Sequence, residues 1–284
     1  MGRVFSDLAT ATYGAPGHPE APFRVIRSHA RLISAGHKVE KPLEEATGSD
    51  VALLHGVKHF HKLQKGSYSD PDTPLHPGIV PVALISLAGA LSAAKTAAAG
   101  EPALSLMRPP GHHAGKDRVS GFCYFNNAAL ACEKLKVEKQ AARIAILDID
   151  VHHGDGTQEL TLGREGYFFA SLHQVPLYPG TGLDSVGNCR NYPLAPGTDE
   201  GPYLKKLEEV LRLMLDFKPD VLAVSAGFDT YKEDPIAQLK LTKQSYTRIG
   251  SLIAQTKLRR FAVLEGGYAE DLPILVENFL EGFF

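Results

Sequence analysis

Cysteine is scarce in this chain of 284 residues: Cys123, Cys132 and Cys189 are the only three, with no paired spacing and no C-x-x-C. That excludes a disulfide scaffold and fits a reducing, cytoplasmic compartment. An excess of charge of either sign is missing too. Thirty basic against 32 acidic residues leave a formal net charge of −2, so no broad electrostatic grip on nucleic acid or an anionic membrane is expected. The longest apolar stretch, Val80 to Ala94, is interrupted by Pro81 and reads as too short to span a bilayer, and the N-terminus lacks a charged-then-apolar signal pattern. "MGRVFS" matches an N-myristoylation pattern, but Arg3 to Phe5 reads as a first strand that would bury Gly2. With no internal repeat and no Pro/Gly/Ser-rich linker, residues 1–284 read as one soluble domain whose partner is small or locally recognised.

What the chain does have is one recurring arrangement: a short apolar run followed at once by polar residues and glycine. "ALSLMRPPGHHAG" (103–115), "RIAILDIDVHHGDG" (143–156), "GYFFASLHQ" (166–174), "DVLAVSAGFDT" (220–230) and "RFAVLEGGY" (260–268) all show it. Near-continuous apolar runs of this length suit strands buried on both faces. Between them lie helical patterns over Ala83 to Ala99, Asn126 to Glu138, Tyr203 to Asp216 and Thr242 to Gln255. The alternation predicts an α/β fold, an open and mostly parallel sheet covered by helices on both faces.

Ligands of such sheets bind beyond the carboxyl ends of the strands. That places His112, His113, Asp148, Asp150, His152, His153, Asp155, His173, Asp229, Glu265 and Tyr268 in one neighbourhood. A lone Asp after a strand usually caps a helix, and a lone His is usually a satisfied core residue. Five strand ends that all collect carboxylates and imidazoles are a different matter.

In "DIDVH" the side chains two apart point to one side of an extended segment, so Asp150 and His152 can grip one ion together, with Asp148 on the same side. Asp229 of "AGFD" is the best third ligand. Two carboxylates and one imidazole leave a coordination position for water, as catalytic metals require, and suit Zn²⁺, with Fe²⁺ or Mn²⁺ as alternatives. His112 and His113 supply imidazoles for proton transfer, and Asp148 and Asp155 could each receive the far N–H of one of them. Tyr268, after the double glycine of "EGGY", offers a phenol to an oxygen on which negative charge develops.

These residues carry a resemblance. "RPPGHHA", "SGFCYFNNAA", "DIDVHHGDGT", "SLH", "YPGTG", "SAGFD" and "EGGY", in that order, with "GHPEAPFRV" near the start, are similar to the motifs of the histone deacetylase family across essentially the whole chain. "AGFD" and "EGGY" resemble its class II members and their bacterial and archaeal relatives. The resemblance implies the arginase/deacetylase fold, a central eight-stranded parallel sheet flanked by helices. It also implies zinc at Asp150, His152 and Asp229, the histidine pair His112 and His113 with carboxylate partners Asp148 and Asp155, and Tyr268 as transition-state donor. It adds a tunnel walled by Phe122 and by Tyr178, where many members have phenylalanine, with the Gly121 carbonyl accepting the substrate N–H. It further implies a structural K⁺ held by Asp148, the main-chain oxygens of Asp150, His152 and Leu172, and the Ser171 hydroxyl.

The expected activity is zinc-dependent hydrolysis of an acetyl or other short acyl amide on the lysine ε-amine of a protein or peptide. The alternatives are an acetylpolyamine amidohydrolase, acting on a small acylated amine, and a catalytically silent acyl-lysine binding module, which the intact ligand set disfavours. Ile236 bears on the choice. Family members that prefer acetylpolyamines commonly carry glutamate there, and an isoleucine offers no compensation to a second ammonium; Asp70, Asp72 or Glu20 could supply a carboxylate from another loop. "HGVKHFHKL" (55–63) reads as a helix with an exposed basic face rather than as a metal site of His55, His59 and His61, and Cys123 as a small buried hydrophobe. The sequence does not indicate an oligomeric state.

Overall fold

A computed structural model describes residues 2–284. In chain order its elements are β1 (Arg3–Phe5), α1 (Phe23–Ser34), β2 (Val39–Glu40), α2 (Gly48–Val51), α3 (Val57–Gln64), α4 (Ile79–Ala98), β3 (Ala103–Ser105), α5 (Asn127–Val137), β4 (Ile144–Asp148), α6 (Asp155–Thr161), β5 (Tyr167–Gln174), β6 (Cys189–Leu194), α7 (Glu200–Phe217), β7 (Val221–Ala226), α8 (Lys243–Gln255), β8 (Arg259–Leu264) and α9 (Leu272–Phe283). The eight strands form one sheet in the order β2-β1-β3-β8-β7-β4-β5-β6. Every pairing in it is parallel.

Because strand side chains alternate between faces, the apolar runs feed two cores. Ile144 and Ile146 of β4 enter one core and Ala145 and Leu147 the other; Val221 and Ala223 of β7 separate from Leu222 and Val224 in the same way. The first core is roofed by α4 and α5, the second by α7, α8 and α9. Central strands covered on both sides read as unbroken apolar runs for this reason.

One expectation needs correcting, and two others are filled in. The apolar stretch around Val80 is not cut by Pro81, because proline in the first helical turn has no intrahelical N–H bond to lose; α4 runs for 20 residues. By length and hydropathy it could cross a membrane, but 67% of its most apolar window is buried inside the protein, where it serves as a core helix. The polar edge strand β6, which contains Pro193, and the two-residue β2 gave no apolar run to read. Finally, α3 exposes Lys58, His61 and Lys62, yet His55 and His59 are buried with rings stacked 4.7 Å apart. Gly2, as expected of a residue leading into β1, is buried.

His55 spends both nitrogens on the backbone. Nδ1 lies 2.8 Å from the Gly115 carbonyl, and Nε2 accepts the Asn126 N–H at 2.9 Å. It thereby fixes the segment 115–126 as a neutral ring. Burial, with repulsion from His59, presses its pKa from 6.5 to about 3. The unfolded chain takes up that proton near the ordinary value, the folded chain only near 3, so the contribution to stability is whole above pH 6.5 and is lost as pH falls between the two. In His55→Gln, urea unfolding followed from pH 7 to pH 4 should show a pH slope smaller by about one proton; an unchanged slope would remove His55 from this account.

Candidate active site

The register of the sheet assembles the site. Asp148, the last residue of β4, is level with Ser171 on β5 and Ser225 on β7, so the segments that follow these strands leave the sheet side by side. The loop after β4 carries Asp150 and His152, and the one after β7 carries Asp229. Their ligand atoms lie within 4.8 Å of one another, the only such group of three among the described residues. His152 Nδ1 is 2.9 Å from Asp150 Oδ1 and 3.2 Å from Asp229 Oδ2.

Backbone donors hold these side chains in place. Asp150 accepts the Gly266 N–H at 2.7 Å on one oxygen and the His152 N–H at 2.9 Å on the other; Asp229 Oδ1 accepts the Val151 N–H at 2.8 Å. Asp229 Oδ2, fully buried, has no hydrogen-bond partner. A Cβ on Gly266 would strike both carboxylates and one on Gly227 would strike Asp150, so the two glycines leave a cradle open at the oxygens that converge. Burial and the charge of Asp150 push the Asp229 pKa up, as expected of two carboxylates crowded in low dielectric. An orphaned oxygen, a cleared cradle and surplus buried negative charge fit a divalent cation held by Asp150, His152 and Asp229.

The histidine pair comes from the loop after β3. His112 Nδ1 is 3.0 Å from Asp148 and His113 Nδ1 2.7 Å from Asp155, with the rings 4.0 Å apart. Their environments diverge. Burial works to lower His112, but the carboxylates of Asp150 and Asp148 overcome it and raise its pKa well above the ordinary value. Burial and the neighbouring charge of His112 push His113 down despite its bond to Asp155. Their surroundings thus pull the two adjacent imidazoles in opposite directions.

Tyr268 closes the group. Its N–H is held at 2.8 Å by Asp234, and its ring lies 4.8 Å under the guanidinium carbon of Arg24 and 5.8 Å from Phe122. Burial raises its phenol well above the usual range, so it remains a donor. A cavity of about 210 Å³ descends to these residues between Asp72, His113, Gly121, Phe122, His152, Leu177, Tyr178, Ile236 and Tyr268. A larger hollow of about 510 Å³, beside Lys41–Ala46 and the start of α4, is lined by none of the residues converging at the strand ends.

Other residues gathered from the sequence take supporting places. The rings of His153 and His173 lie 4.7 Å apart, tilted by 44°, their nitrogens engaged by Thr181, Gln158, Ser171 and the Gly182 carbonyl. Cys123 is buried as expected, and its thiol donates to the Gly121 carbonyl at 3.2 Å. Glu20 is not a rim acid: buried, it accepts from Arg24, Arg108 and Tyr13. Arg24 in turn donates to the carbonyls of Gly267 and Glu265, on the loop that carries Tyr268. Glu265 accepts the Gly111 and His112 N–H groups at 2.7 and 3.1 Å, tying the loop of Tyr268 to that of the histidines. The roles of Arg24, Glu265 and Asp234 escaped the sequence, whose only signal was that each stands in or near a motif.

Comparison with known proteins places this arrangement. The family model described as the histone deacetylase domain matches residues 18–281. An acetylpolyamine amidohydrolase of Mycoplana ramosa is 40% identical over 224 residues, which are 74% of this chain and a little under two thirds (65%) of that protein. A probable deacetylase of Archaeoglobus fulgidus is 36% identical over 94% of this chain and 81% of its own length. The crystal structure of an acetylpolyamine aminohydrolase from Burkholderia pseudomallei superposes with a TM-score of 0.93 at 28% identity, covering 100% of this chain and 98% of that one.

Asp229→Asn should cut zinc bound per chain by ~10-fold or more, given that even a supporting partner of a metal ligand is worth that much. Zinc should raise the unfolding temperature of the parent protein and not that of the variant. Elemental analysis and thermal unfolding check both; a variant that binds zinc like its parent would break the assignment.

Proposed function

Because the chain belongs to the histone deacetylase domain family, we propose that it is a zinc-dependent amidohydrolase whose substrate is a small acylated amine carrying a second positive charge, of the acetylpolyamine kind. The observation that carries the substrate class is Asp72. It is the one carboxylate among the residues lining the cavity, on the rim it shares with Phe122 and Ile236. Ile236 alone favours acyl-lysine, since an ammonium stripped of water beside an isoleucine has nothing to pair with; with Asp72 on the same rim it has a partner. The acetylpolyamine amidohydrolases similar to this chain support the same choice. Acyl-lysine of a protein or peptide remains the second reading, resting on that apolar Ile236.

Asp150, His152 and Asp229 would hold the zinc, which when bound supplies a Lewis acid for the scissile carbonyl and lowers the pKa of a water toward neutrality. The remaining steps belong to the chain. His113, kept neutral and oriented by Asp155 at Nδ1, accepts a proton at Nε2. His113 then returns that proton to the departing amine, while His112, bonded to Asp148, answers the charge that Asp148 and Asp150 concentrate beside it. Tyr268 donates its phenol to the oxygen on which negative charge grows. The Gly121 carbonyl accepts the amide N–H, between Phe122 and Tyr178. A structural K⁺ at Asp148, Ser171 and the main chain of Asp150, His152 and Leu172 is supported by the register that sets Asp148 level with Ser171. Three free, buried cysteines support a cytoplasmic setting.

Two measurements test the proposal. The zinc-loaded protein should show a higher kcat/KM on N-acetylputrescine or N⁸-acetylspermidine than on acetyl-lysine peptides, and Asp72→Asn should raise KM for the former by about 2- to 5-fold, the scale of a partly exposed ion pair. A clear preference of the parent protein for acetyl-lysine peptides would install the second reading. Tyr268→Phe should lower kcat by ~10²–10³ with zinc retained, the loss expected of one oxyanion donor; near-normal turnover would remove the phenol from the chemistry.

A further inference from the structure

Two side chains beside the cavity meet in a way the catalytic scheme does not use. Ser120, only 5% exposed, places its hydroxyl 2.5 Å from the phenol oxygen of Tyr178. The partners come from different loops, one between β3 and α5 and the other between β5 and β6. We propose that this hydrogen bond is a latch across the tunnel wall, which fixes the width of the tunnel so that unbranched alkyl amines pass and amines with a ring or branch next to the amide do not. The proposal rests on the amidohydrolase reading above and adds the shape of amine the site accepts.

Both ends of the latch are anchored. On one side, Ser120 and Cys123 exchange two backbone hydrogen bonds, forming a tight turn with Gly121 at φ 51° and Phe122 at φ 69°. A left-handed phenylalanine is costly and persists only when its surroundings hold it; the Phe122 N–H is held by the Thr73 hydroxyl at 2.8 Å, and its ring makes a T-shaped contact with the His18 ring at 4.6 Å. On the other side, the Tyr178 ring stands edge-on to His113 at 5.0 Å and to His152 at 6.3 Å. A Cβ on Gly121 would lie 3.0 Å from Tyr178 Cε1, so the ring is already in contact range of that backbone. Phe122, Gly121 and Tyr178 thus form adjoining walls, and the hydroxyl pair stops the loop of Tyr178 from swinging away. Burial pushes the phenol up to about 12, so the bond keeps its proton throughout the neutral range. A phenylalanine at position 178 would supply the same ring without the tie.

The latch is tested on zinc-loaded Tyr178→Phe, Ser120→Ala, the double variant and Ser120→Thr. Two ratios are read: kcat/KM for mono-N-acetyl-p-xylylenediamine over N-acetylputrescine, and calorimetric affinity for an aryl-linked over an alkyl-linked hydroxamate. Each single loss should raise both ratios by about fivefold, the scale of one hydrogen bond. The double variant should go no further than either single one, because one bond can be removed only once, and Ser120→Thr, which keeps the hydroxyl, should behave as the parent. Ratios within about twofold of the parent in either single variant, or effects that multiply in the double, would overturn the latch. If the parent cleaves no acylated amine, the amidohydrolase reading fails, while the hydroxamate affinities still decide the latch.

Discussion

A carboxylate removed from water must be given back the charge partners and donors that water supplied. This chain buries Glu20, Asp148, Asp150, Asp229 and Glu265 around one end of its sheet, and much of the local architecture is the set of answers to that demand. Glu20 is answered by two arginines and a tyrosine, which hold it ionised down to about pH 2 against the burial that opposes them. Glu265 is answered by two backbone N–H groups, and Asp148 by His112 and the Asp150 N–H. His152 Nδ1 bonds to Asp150 Oδ1, and Asp229 Oδ2, beside it, is left without a hydrogen bond. Glu265 Oε1 is without a donor as well, but only Asp150 and Asp229 converge with an imidazole on a cradle that glycines keep clear, and that is the place fitted for a cation among the described residues.

The same pairings transmit order outward. Arg24, bound to Glu20, also grips the loop that carries Tyr268, and Glu265, at the start of that loop, grips the loop of His112. The phenol and the imidazoles, which in the proposed reaction face one oxygen and one proton at the same time, are therefore tied through buried charge rather than through apolar packing. Preorganisation of this kind matters because a donor aimed in advance costs no reorganisation when charge develops.

Strand ends were legible in the sequence because the central strands are short apolar runs with polar residues directly behind them, and "DIDVH" sets its ligands at the spacing of an extended segment. Asp229 could be guessed because "AGFD" ends such a run. The Glu20 and Arg108 pair could not, being 88 residues apart with no periodicity to link them. Strand β6 was missed for a physical reason: an edge strand with one side in solvent keeps polar residues and tolerates Pro193. Helix α1 was seen only as a motif, and its buried Arg24 does not advertise a core position.

Substrate choice was the least legible feature because it depends on loops rather than on strands. Asp150, His152 and Asp229 follow within four residues of paired strands, so the sheet register sets where they emerge, and Glu265 holds the histidine loop beside them. Asp72, Phe122, Tyr178 and Ile236 lie on four separate loops with no such register. Read along the chain, Ile236 is an apolar residue at a tunnel mouth and argues for an acyl-lysine. Asp72 stands 164 positions earlier, and only the folded rim, where His18 Nε2 meets the Asp72 carbonyl at 3.1 Å and Thr73 holds Phe122, brings its charge to the same opening. A chemistry set by strands and a selectivity set by loops can therefore change independently, and a family that shares the one need not share the other.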